Sequence, residues 1–196
     1  LARYRGPAEF DAAWKANPVE AGTLYANNDA RYMTGAFSTR YGKVLVIKGS
    51  MPTTPKTWHG KRKAKAAQVV EWDMCTLESV ATTRTHRCLF DEQVPLKGKK
   101  RRYTIVVSKA GDRPRNAKRK CGVAFLPADP DGDGVSRKDA GLLLTRNVIP
   151  APGFKHSIQR VSSPYNAAKT MGRFYPRGNY TSKAAFQKLG CPKSGL

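Results

Sequence analysis

Carboxylate side chains are concentrated in the middle of the sequence, where they could supply acid–base chemistry. The members of this group are Glu71, Asp73, Glu78, Asp91 and Glu92. Two carboxylates that face each other can act as general acid and general base in glycosidic cleavage. Strand alternation places Glu71 and Asp73 on one face. The other face would then carry Val70, Trp72 and Met74. Asp73 and Asp91 are the leading catalytic candidates, but a solvated polar face, the usual arrangement in antiparallel sheets, is the favoured interpretation.

Nucleophile and cofactor motifs are missing from the sequence. It has no Gly-x-Ser-x-Gly elbow, no His-Glu-x-x-His pair and no glycine-rich phosphate or dinucleotide loop. Cys88 and His86 could provide a nucleophile and a base, but a cysteine with a disulfide partner is not a nucleophile. The sequence therefore argues against many familiar enzyme classes, and it predicts no cofactor apart from a calcium ion considered below.

The four cysteines, an even number, are typical of an oxidising compartment. We expect Cys75 to pair with Cys88, because two short segments between them could be held together by a bridge. Cys121 would then pair with Cys191 and tie the C-terminal tail to the body. Zinc binding is the alternative, but there is no Cys-x-x-Cys and the three histidines are far apart in sequence.

The segment "DPDGDG", which begins at Asp129, matches the start of a calcium loop. Asp129, Asp131 and Asp133 alternate and Gly134 is in the sixth position, where glycine permits a sharp turn. The twelfth position is not Glu, and Asp139 arrives one residue before it. Because Pro, Asp and Gly form turns, a β-hairpin loop is the favoured interpretation. A weak calcium site made by the same four aspartates is the alternative.

Positive charge is the strongest functional feature of the sequence. Lys and Arg total 36 against 14 Asp and Glu, a formal net charge of +22, and most of the excess follows residue 95. Such a field attracts nucleic acid, teichoic-type polymers, anionic glycans or an anionic membrane surface without choosing among them, although a basic surface can also serve only solubility. The candidate polyanion-binding residues are Lys61, Arg62, Lys63, Lys65, Lys97, Lys99, Lys100, Arg101, Arg102, Arg113, Arg115, Lys118, Arg119 and Lys120.

Aromatic residues alternate with arginines in "GRFYPRGNY". Phe174, Tyr175 and Tyr180 lie there among Arg173 and Arg177, and could stack on bases or sugars. A packed, irregular tail is the equally supported alternative.

Arg146 lies inside the apolar run "LLLTRNVI". A guanidinium in a strand of this kind needs a carboxylate partner or a place at an edge. We expect Asp73 or Asp91 to be that partner, in a structural ion pair rather than a ligand contact.

Strand patterns dominate the sequence between helical ends. Helices are predicted in "PAEFDAAWKANP", near 154–161 and in "SKAAFQKLG", the last with Gly190 as its C-cap. Six or seven short strands between Gly- and Pro-rich turns predict a mainly β fold, an antiparallel β-sandwich or open barrel with short terminal helices. The expected organisation is a helical segment at 1–20, a β-sandwich core at 21–150, and a helix with an irregular tail at 151–196.

No apolar run reaches the roughly 18–20 residues that span a membrane, so no transmembrane segment is expected. The chain begins at Leu1 without Met, as the mature product of a secreted precursor would, although a trimmed chain would begin the same way. With the even cysteine count, this predicts a secreted protein.

Eight blocks of sequence follow one another along nearly the whole chain: "NNDARY", "GKVLVIKGSMPTTP", "WDMC", "CLFDEQVP", "YTIVVSKAGDRPRNA", "GVAFLP", "LLLTRNVIPAPGF" and "MGRFYPRGNY". Their succession resembles a group of secreted, mostly actinobacterial proteins without an assigned activity. The later part, from "WDMC" to "PAP", is also similar in block order to a widespread bacterial β-sandwich domain of unknown function. The resemblance implies a secreted location and a β-sandwich fold, and it implies no reaction.

Three hypotheses for function follow from these features. The favoured one is a secreted, non-catalytic protein whose cationic surface associates with anionic polymers of the envelope or matrix, or with nucleic acid. The second is an extracellular assembly or filament subunit that pairs with itself through its tail or a strand edge. The third is a carboxylate-dependent hydrolase of anionic glycans that uses Asp73 and Asp91.

Overall fold

The computed structural model describes residues 15–16, 29–60 and 67–191, and within them the chain forms two β-sheets that face each other. The fold is a β-sandwich with short helices, as predicted, and both sheets are open rather than closed into a barrel. Within the described part of the chain, no helix has the length and apolar character to cross a membrane.

The first sheet is antiparallel throughout, with strand order β1-β2-β8-β4-β5. Its strands are β1 (Lys15–Ala16), β2 (Ala30–Ser38), β8 (Ala140–Pro150), β4 (Val69–Leu77) and β5 (Thr85–Phe90). The long central strand β8 pairs with β2 on one side and β4 on the other, so Arg146 lies directly opposite Asp73 in the register.

The second sheet has strand order β7-β6-β3-β9 and is mixed, because β6 and β7 run parallel. Its strands are β7 (Ala124–Pro127), β6 (Arg102–Ser108), β3 (Val44–Ser50) and β9 (Arg177–Thr181). The connection from β6 to β7 contains two single 3₁₀ turns, Ala110–Asp112 and Arg119–Cys121, instead of a tight hairpin. A parallel pair needs such a crossover segment.

The segment "DPDGDG" connects β7 of the second sheet to β8 of the first. The predicted β-hairpin is therefore wrong: the flanking strands exist, but they belong to different sheets. A turn-rich acidic loop can join two strands that pair with each other or two strands of different sheets. Its local sequence does not distinguish these cases, because pairing depends on which strands present complementary edges.

The core lies between the two sheets. Met33, Trp72 and Leu143 of the first sheet pack with Ile47 and Ile105 of the second, and all five are almost completely removed from solvent. Burial of apolar side chains on both inner faces is the main stabilising contribution to such a sandwich.

A second apolar cluster covers the outer face of the second sheet. Val46 and Val106 point outward there and pack under Phe186 of α2 (Lys183–Lys188), together with Val123. This helix matches the predicted terminal helix: Ser182 Oγ accepts a hydrogen bond from the Ala185 N–H (3.0 Å), and Gly190 follows with a φ of +68°. Positive φ is the conformation that favours glycine after a helix.

The other helix predictions differ from the structure. The segment 154–161 contains only a 3₁₀ turn at Ile158–Arg160, because Phe154, Ile158 and Val161 are each buried in the core from an irregular backbone. A five-residue helix, α1 (Ala167–Met171), follows instead. The first predicted helix lies outside the described residues except at its end, where Lys15–Ala16 pair with β2 as a strand.

Both predicted disulfides are present. Cys75 and Cys88 lie opposite each other on β4 and β5, with their Cα atoms 4.0 Å apart. Cys121 and Cys191 join the β6–β7 crossover to the end of α2, with their Cα atoms 4.7 Å apart. The described cysteines include no free thiol, so neither Cys88 nor a zinc site is available for chemistry.

Candidate anion-binding groove

The outer face of the second sheet carries polar and cationic side chains where α2 does not cover it. Because side chains alternate along strands, Lys48 of β3 faces outward with Arg102 and Thr104 of β6 and Arg177 and Asn179 of β9. In the register, Lys48 is opposite Thr104 on one side and Arg177 on the other. Two cations on neighbouring strands therefore form the centre of this face.

The turn before β6 forms one rim of this face. Lys97 and Arg102 exchange backbone hydrogen bonds of 2.8 and 3.0 Å, and Gly98 has a φ of +62° that lets the chain reverse between them. This tight turn brings Lys97 and Lys100 alongside the outward face of β6.

The opposite rim comes from the segment before β9. The 3₁₀ turn Gly172–Phe174 supplies Arg173, whose guanidinium carbon lies 4.8 Å from the centre of the Phe174 ring. The Arg177 guanidinium carbon lies 5.7 Å from the centre of the Tyr175 ring. Stacking on aromatic rings restrains both arginines without neutralising them.

These rims enclose two cavities of about 430 Å³ and about 480 Å³ that share Lys48, Lys97, Thr104 and Gly122, so they form one continuous groove. No Asp or Glu is among the described residues that line it. Its cations are Lys48, Lys97, Lys100, Arg102, Lys120, Arg173 and Arg177. Uncompensated charge of one sign in a concave, low-dielectric wall focuses the field and concentrates anions there.

Six of the seven groove cations form no ion pair with a carboxylate of the described residues, namely Lys48, Lys97, Lys100, Arg102, Lys120 and Arg173. The Tyr103 side chain lies in the core between the sheets against Trp72, and burial raises the pKa of its phenol.

Four of the predicted polyanion-binding residues line the groove, namely Lys97, Lys100, Arg102 and Lys120. Lys99 is exposed on the same turn, and Arg115 and Lys118 lie in the β6–β7 crossover, outside the groove lining. Lys61, Arg62, Lys63 and Lys65 lie outside the described residues.

Three predicted arginines serve the backbone instead. Arg101 donates from Nε to the Met51 carbonyl (3.3 Å) and from Nη2 to the Pro52 carbonyl. Arg113 donates twice to the Ala117 carbonyl, at 3.0 and 2.8 Å. Arg119 donates to the Gln93 carbonyl at 2.9 Å. The structure thus gives these three a role in holding loops, which sequence alone does not separate from ligand binding.

The aromatic candidates have different positions. Phe174 is buried and packs edge-on against Phe154, with ring centroids 5.1 Å apart. Tyr180 accepts a hydrogen bond from the Ser38 N–H (3.1 Å) and packs against Tyr41. Tyr175, although buried, lines the cationic groove. Phe174 and Tyr180 are therefore packed against the rest of the protein, as in the alternative interpretation, and do not line the groove.

Sequence analysis missed Lys48 as a groove residue. It interrupts the apolar run "VLVIKGS", and its exposed position in an otherwise buried stretch was the available indication. The sequence identifies Arg173 and Arg177 only as neighbours of aromatic residues. Their approach to the turn at Lys97 depends on the pairing of β9 with β3, which local sequence does not predict.

A second cluster of charged residues lies on the first sheet. Arg146 donates from Nε to Asp73 Oδ2 (2.8 Å) and from Nη2 to both that oxygen and Glu71 Oε1, the latter at 3.0 Å. The predicted Arg146–Asp73 pair is therefore present. Asp73 is fully buried, which contradicts the expected solvated face, and Val70 is 46% exposed instead of sharing the core face with Trp72.

Burial dominates the protonation of these carboxylates. It raises the pKa of Asp73 to about 6, with Arg146 opposing and Glu71 adding to the rise. Burial also raises the pKa of Asp91, and the neighbouring charges of Glu92 and Glu71 add to it. The other two members have separate partners: Glu78 pairs with Arg84, and Glu92 accepts from the Trp58 N–H (2.9 Å).

The four aspartates of the calcium alternative do not converge. Asp129 Oδ2 lies 3.2 Å from His86 Nδ1, and Asp131 extends toward Arg84. Asp133 Oδ1 accepts three backbone N–H groups of its own loop, and Asp139 accepts from Ser38 Oγ. The described residues contain no group of three such side chains placed to hold a metal ion. Asp133 thus holds the loop through hydrogen bonds to its backbone.

Fold and groove together define a disulfide-linked β-sandwich with a cationic outer face. No family model matches the chain, and no curated protein matches it as a relative. Among solved structures it is similar to an uncharacterized protein from Burkholderia cenocepacia, at 16% identity and a TM-score of 0.44. That likeness covers 86% of this chain and 45% of that one, so the chain spans less than half the length of the solved structure.

Proposed function

We propose that this protein is a secreted, non-catalytic binder of anionic polymers and that the cationic groove is the binding site. The observation that carries the proposal is the gathering of seven cations, with no lining carboxylate among the described residues, in one concave surface. Phosphate, sulfate and carboxylate groups are bound by such donors, and Arg102, Arg173 and Arg177 can each hold one through two parallel hydrogen bonds.

The shape of the groove supports a linear ligand. Its cations come from β3, β6, β9 and three separate turns, so they are spread over several elements of the face instead of one. A chain of regularly spaced anionic groups can contact several of them in succession. The two disulfides support an oxidising, extracellular location, where envelope and matrix polymers of this kind occur.

The test compares two triple variants with the same loss of charge. Lys48→Gln/Lys97→Gln/Arg102→Gln removes groove cations, and Lys138→Gln/Lys169→Gln/Arg87→Gln removes exposed cations that do not line the groove. Titration calorimetry with heparin and with polyphosphate would measure affinity. We expect the affinity of the groove variant to fall at least about tenfold, because each missing cation no longer releases counterions from the polymer. The affinity of the control should change by less than about twofold.

Salt dependence provides a second measurement on the unaltered protein. Six phosphate contacts would weaken binding by about 10³-fold between 50 and 200 mM salt. Equal losses in the two triple variants, or retention on heparin that hardly changes with salt, would contradict a groove-based electrostatic site.

Hydrolysis of anionic glycans is the second candidate, and one observation favours it. Glu71 and Asp73 share Arg146, and a buried acid of raised pKa beside a second carboxylate is a pattern found in general acids. Turnover of a panel of anionic glycans by wild type and by Asp73→Asn and Asp91→Asn variants would test it. Activity that is absent, or the same in all three, removes this candidate.

Self-association is the third candidate. In the described chain β5 is an edge strand of the first sheet, and Phe90 at its end is 43% exposed. Exposed edges can pair with a second copy. Light scattering at high protein concentration would decide: a strict monomer argues against assembly.

A further inference from the structure

The two halves of the groove differ in chemistry. The half beside Arg102, Arg173 and Arg177 is lined mainly by cations. The half beneath α2, about 480 Å³ in volume, is lined by apolar side chains together with Thr104, Asn116, Asn179, Thr181 and three lysines, Lys48, Lys97 and Lys120. The apolar wall consists of Val46, Leu96, Val123, Phe186 and Leu189. We call this half the apolar chamber and the other half the cationic trough.

The apolar chamber is held open by the structure around it. Asn116 Nδ2 donates to the carbonyl oxygens of Phe186 (2.9 Å) and Gly190 (2.8 Å), which fixes α2 to the β6–β7 crossover. The Cys121–Cys191 disulfide ties the same two segments covalently. Phe186 of α2 packs on Val46 and Val123, whereas Leu189 at the end of the helix remains 60% exposed and Leu96 is half-buried. The apolar surface left open at Leu96 and Leu189 is one that an apolar ligand would cover.

Charge complementarity specifies which apolar ligand fits. Lys48 and Lys97 line both the chamber and the trough, so they lie where the two halves meet. An alkyl chain in the chamber would place its polar end beside these ammonium groups. A neutral lipid would leave them without a counter-charge, and a simple polyanion would leave the apolar wall uncovered. Only an anionic group joined to an alkyl chain satisfies both halves.

We propose that the groove takes a single-chain anionic amphiphile, with its alkyl chain in the apolar chamber and its phosphate or similar group in the cationic trough. This inference rests on the proposed function, because the trough is the same anion site, and it restricts the ligand to anionic polymers or headgroups that carry a chain. A cavity of about 480 Å³ is within the range of roughly 300–1,000 Å³ of small-molecule sites.

The first test is a chain-length series measured by calorimetry below micelle-forming concentrations. The probes are inorganic phosphate, butyl phosphate, octyl phosphate and decyl phosphate, with decyl maltoside as the uncharged comparison. Each buried methylene should tighten binding about fourfold until the chamber is full, after which affinity should level off. Decyl phosphate should bind far more tightly than either inorganic phosphate or decyl maltoside.

Variants separate the two halves of the site. Asn179 is exposed on β9 and lines the chamber, so Asn179→Trp should fill it. We expect this variant to bind decyl phosphate no better than butyl phosphate while keeping its affinity for polyphosphate. Thr85→Trp places the same side chain on an exposed strand position of the other sheet and should behave as wild type. Leu189→Gln, at a largely exposed position of the wall, should weaken the binding of decyl phosphate several-fold. This variant tests the chamber even if Asn179→Trp does not fold.

The outcomes distinguish this inference from the proposed function. Decyl phosphate that binds no better than inorganic phosphate, while polyphosphate still binds in the groove, overturns the amphiphile and leaves the polymer site. Decyl maltoside that binds as tightly as decyl phosphate overturns the pairing of chain and charge. Failure of both polyphosphate and decyl phosphate to bind overturns both proposals.

Discussion

Adjacent residues in this protein can have opposite roles, and Arg101 and Arg102 are the clearest case. Arg102 begins β6 and its side chain lines the groove, whereas Arg101 has a φ of +51° in the preceding turn and binds the carbonyls of Met51 and Pro52. The basic composition of this segment predicted an anionic partner. It could not separate the two arginines, because the division depends on the residue at which the strand begins.

The Asp73 carboxyl should make the stability of the protein depend on pH. Its pKa is about 6 in the folded protein and near 3.8 when unfolded, so the folded state binds the proton more tightly. The associated stabilisation is fully present below about pH 3.8 and is lost as pH rises through about 6. We expect wild type to lose about 2 kcal/mol of unfolding free energy from this group between pH 4 and pH 7, and Asp73→Asn to lose less.

Urea unfolding at a series of pH values would measure this difference. Burial also raises the pKa of Asp91, so a smaller slope of the same sign should remain in the Asp73→Asn variant. Asp131→Asn is the matched control, since that side chain is 72% exposed. Parallel pH profiles for wild type and Asp73→Asn would show that this carboxyl is not the titrating group.

At the level of elements, the two disulfides constrain loops of different size. Cys121 and Cys191 are 70 residues apart and Cys75 and Cys88 are 13 apart. In the chain-entropy model the longer loop contributes about 4 kcal/mol and the shorter about 3 kcal/mol. We expect Cys121→Ser/Cys191→Ser to lower the free energy of unfolding more than Cys75→Ser/Cys88→Ser does, and denaturant unfolding would measure both.

The Cys121–Cys191 bridge should also affect the groove. It fixes the end of α2 over the apolar chamber, while the cations of the trough lie on β3, β6 and β9 and in the turns before β6 and β9. Removal of this bridge should therefore weaken the binding of decyl phosphate more than that of polyphosphate. The Cys75→Ser/Cys88→Ser variant should bind both probes as wild type does. Equal weakening of both probes would mean that the bridge supports the whole sheet and not the helix alone.

Local sequence patterns predicted individual strands well and their pairing poorly. The alternation and apolar runs of β3, β6 and β8 are visible in the sequence because each strand has a buried face. The cysteine pairs could also be predicted, since the Cys75–Cys88 segment is short. The sequence did not predict that the "DPDGDG" loop crosses between sheets or that Ile158–Arg160 forms a 3₁₀ turn, because both depend on packing against distant strands.

At the scale of the whole molecule, the groove brings together charges that sequence separates by more than a hundred residues. Lys48, Lys97 and Arg177 meet only because β9 returns to pair with β3. The net charge of +22 predicted an anionic partner, but the location of the site required the sheet order β7-β6-β3-β9. Composition thus predicts a class of partner, and topology determines where the cations of the proposed site lie.

Binding and stability should therefore respond in opposite directions to loss of groove charge. Without a ligand, the groove cations repel one another, and the described lining offers no carboxylate to offset them. Lys48→Gln/Lys97→Gln/Arg102→Gln should raise Tm at low ionic strength by roughly 2–4 °C, while it weakens polyphosphate binding. The gain should disappear near 1 M salt, where the Debye length falls to about 3 Å. Calorimetric melting of this variant beside Lys138→Gln/Lys169→Gln/Arg87→Gln, which removes the same charge elsewhere, would separate groove repulsion from the effect of net charge. Equal Tm shifts in both variants would mean that the cations do not repel one another as a cluster.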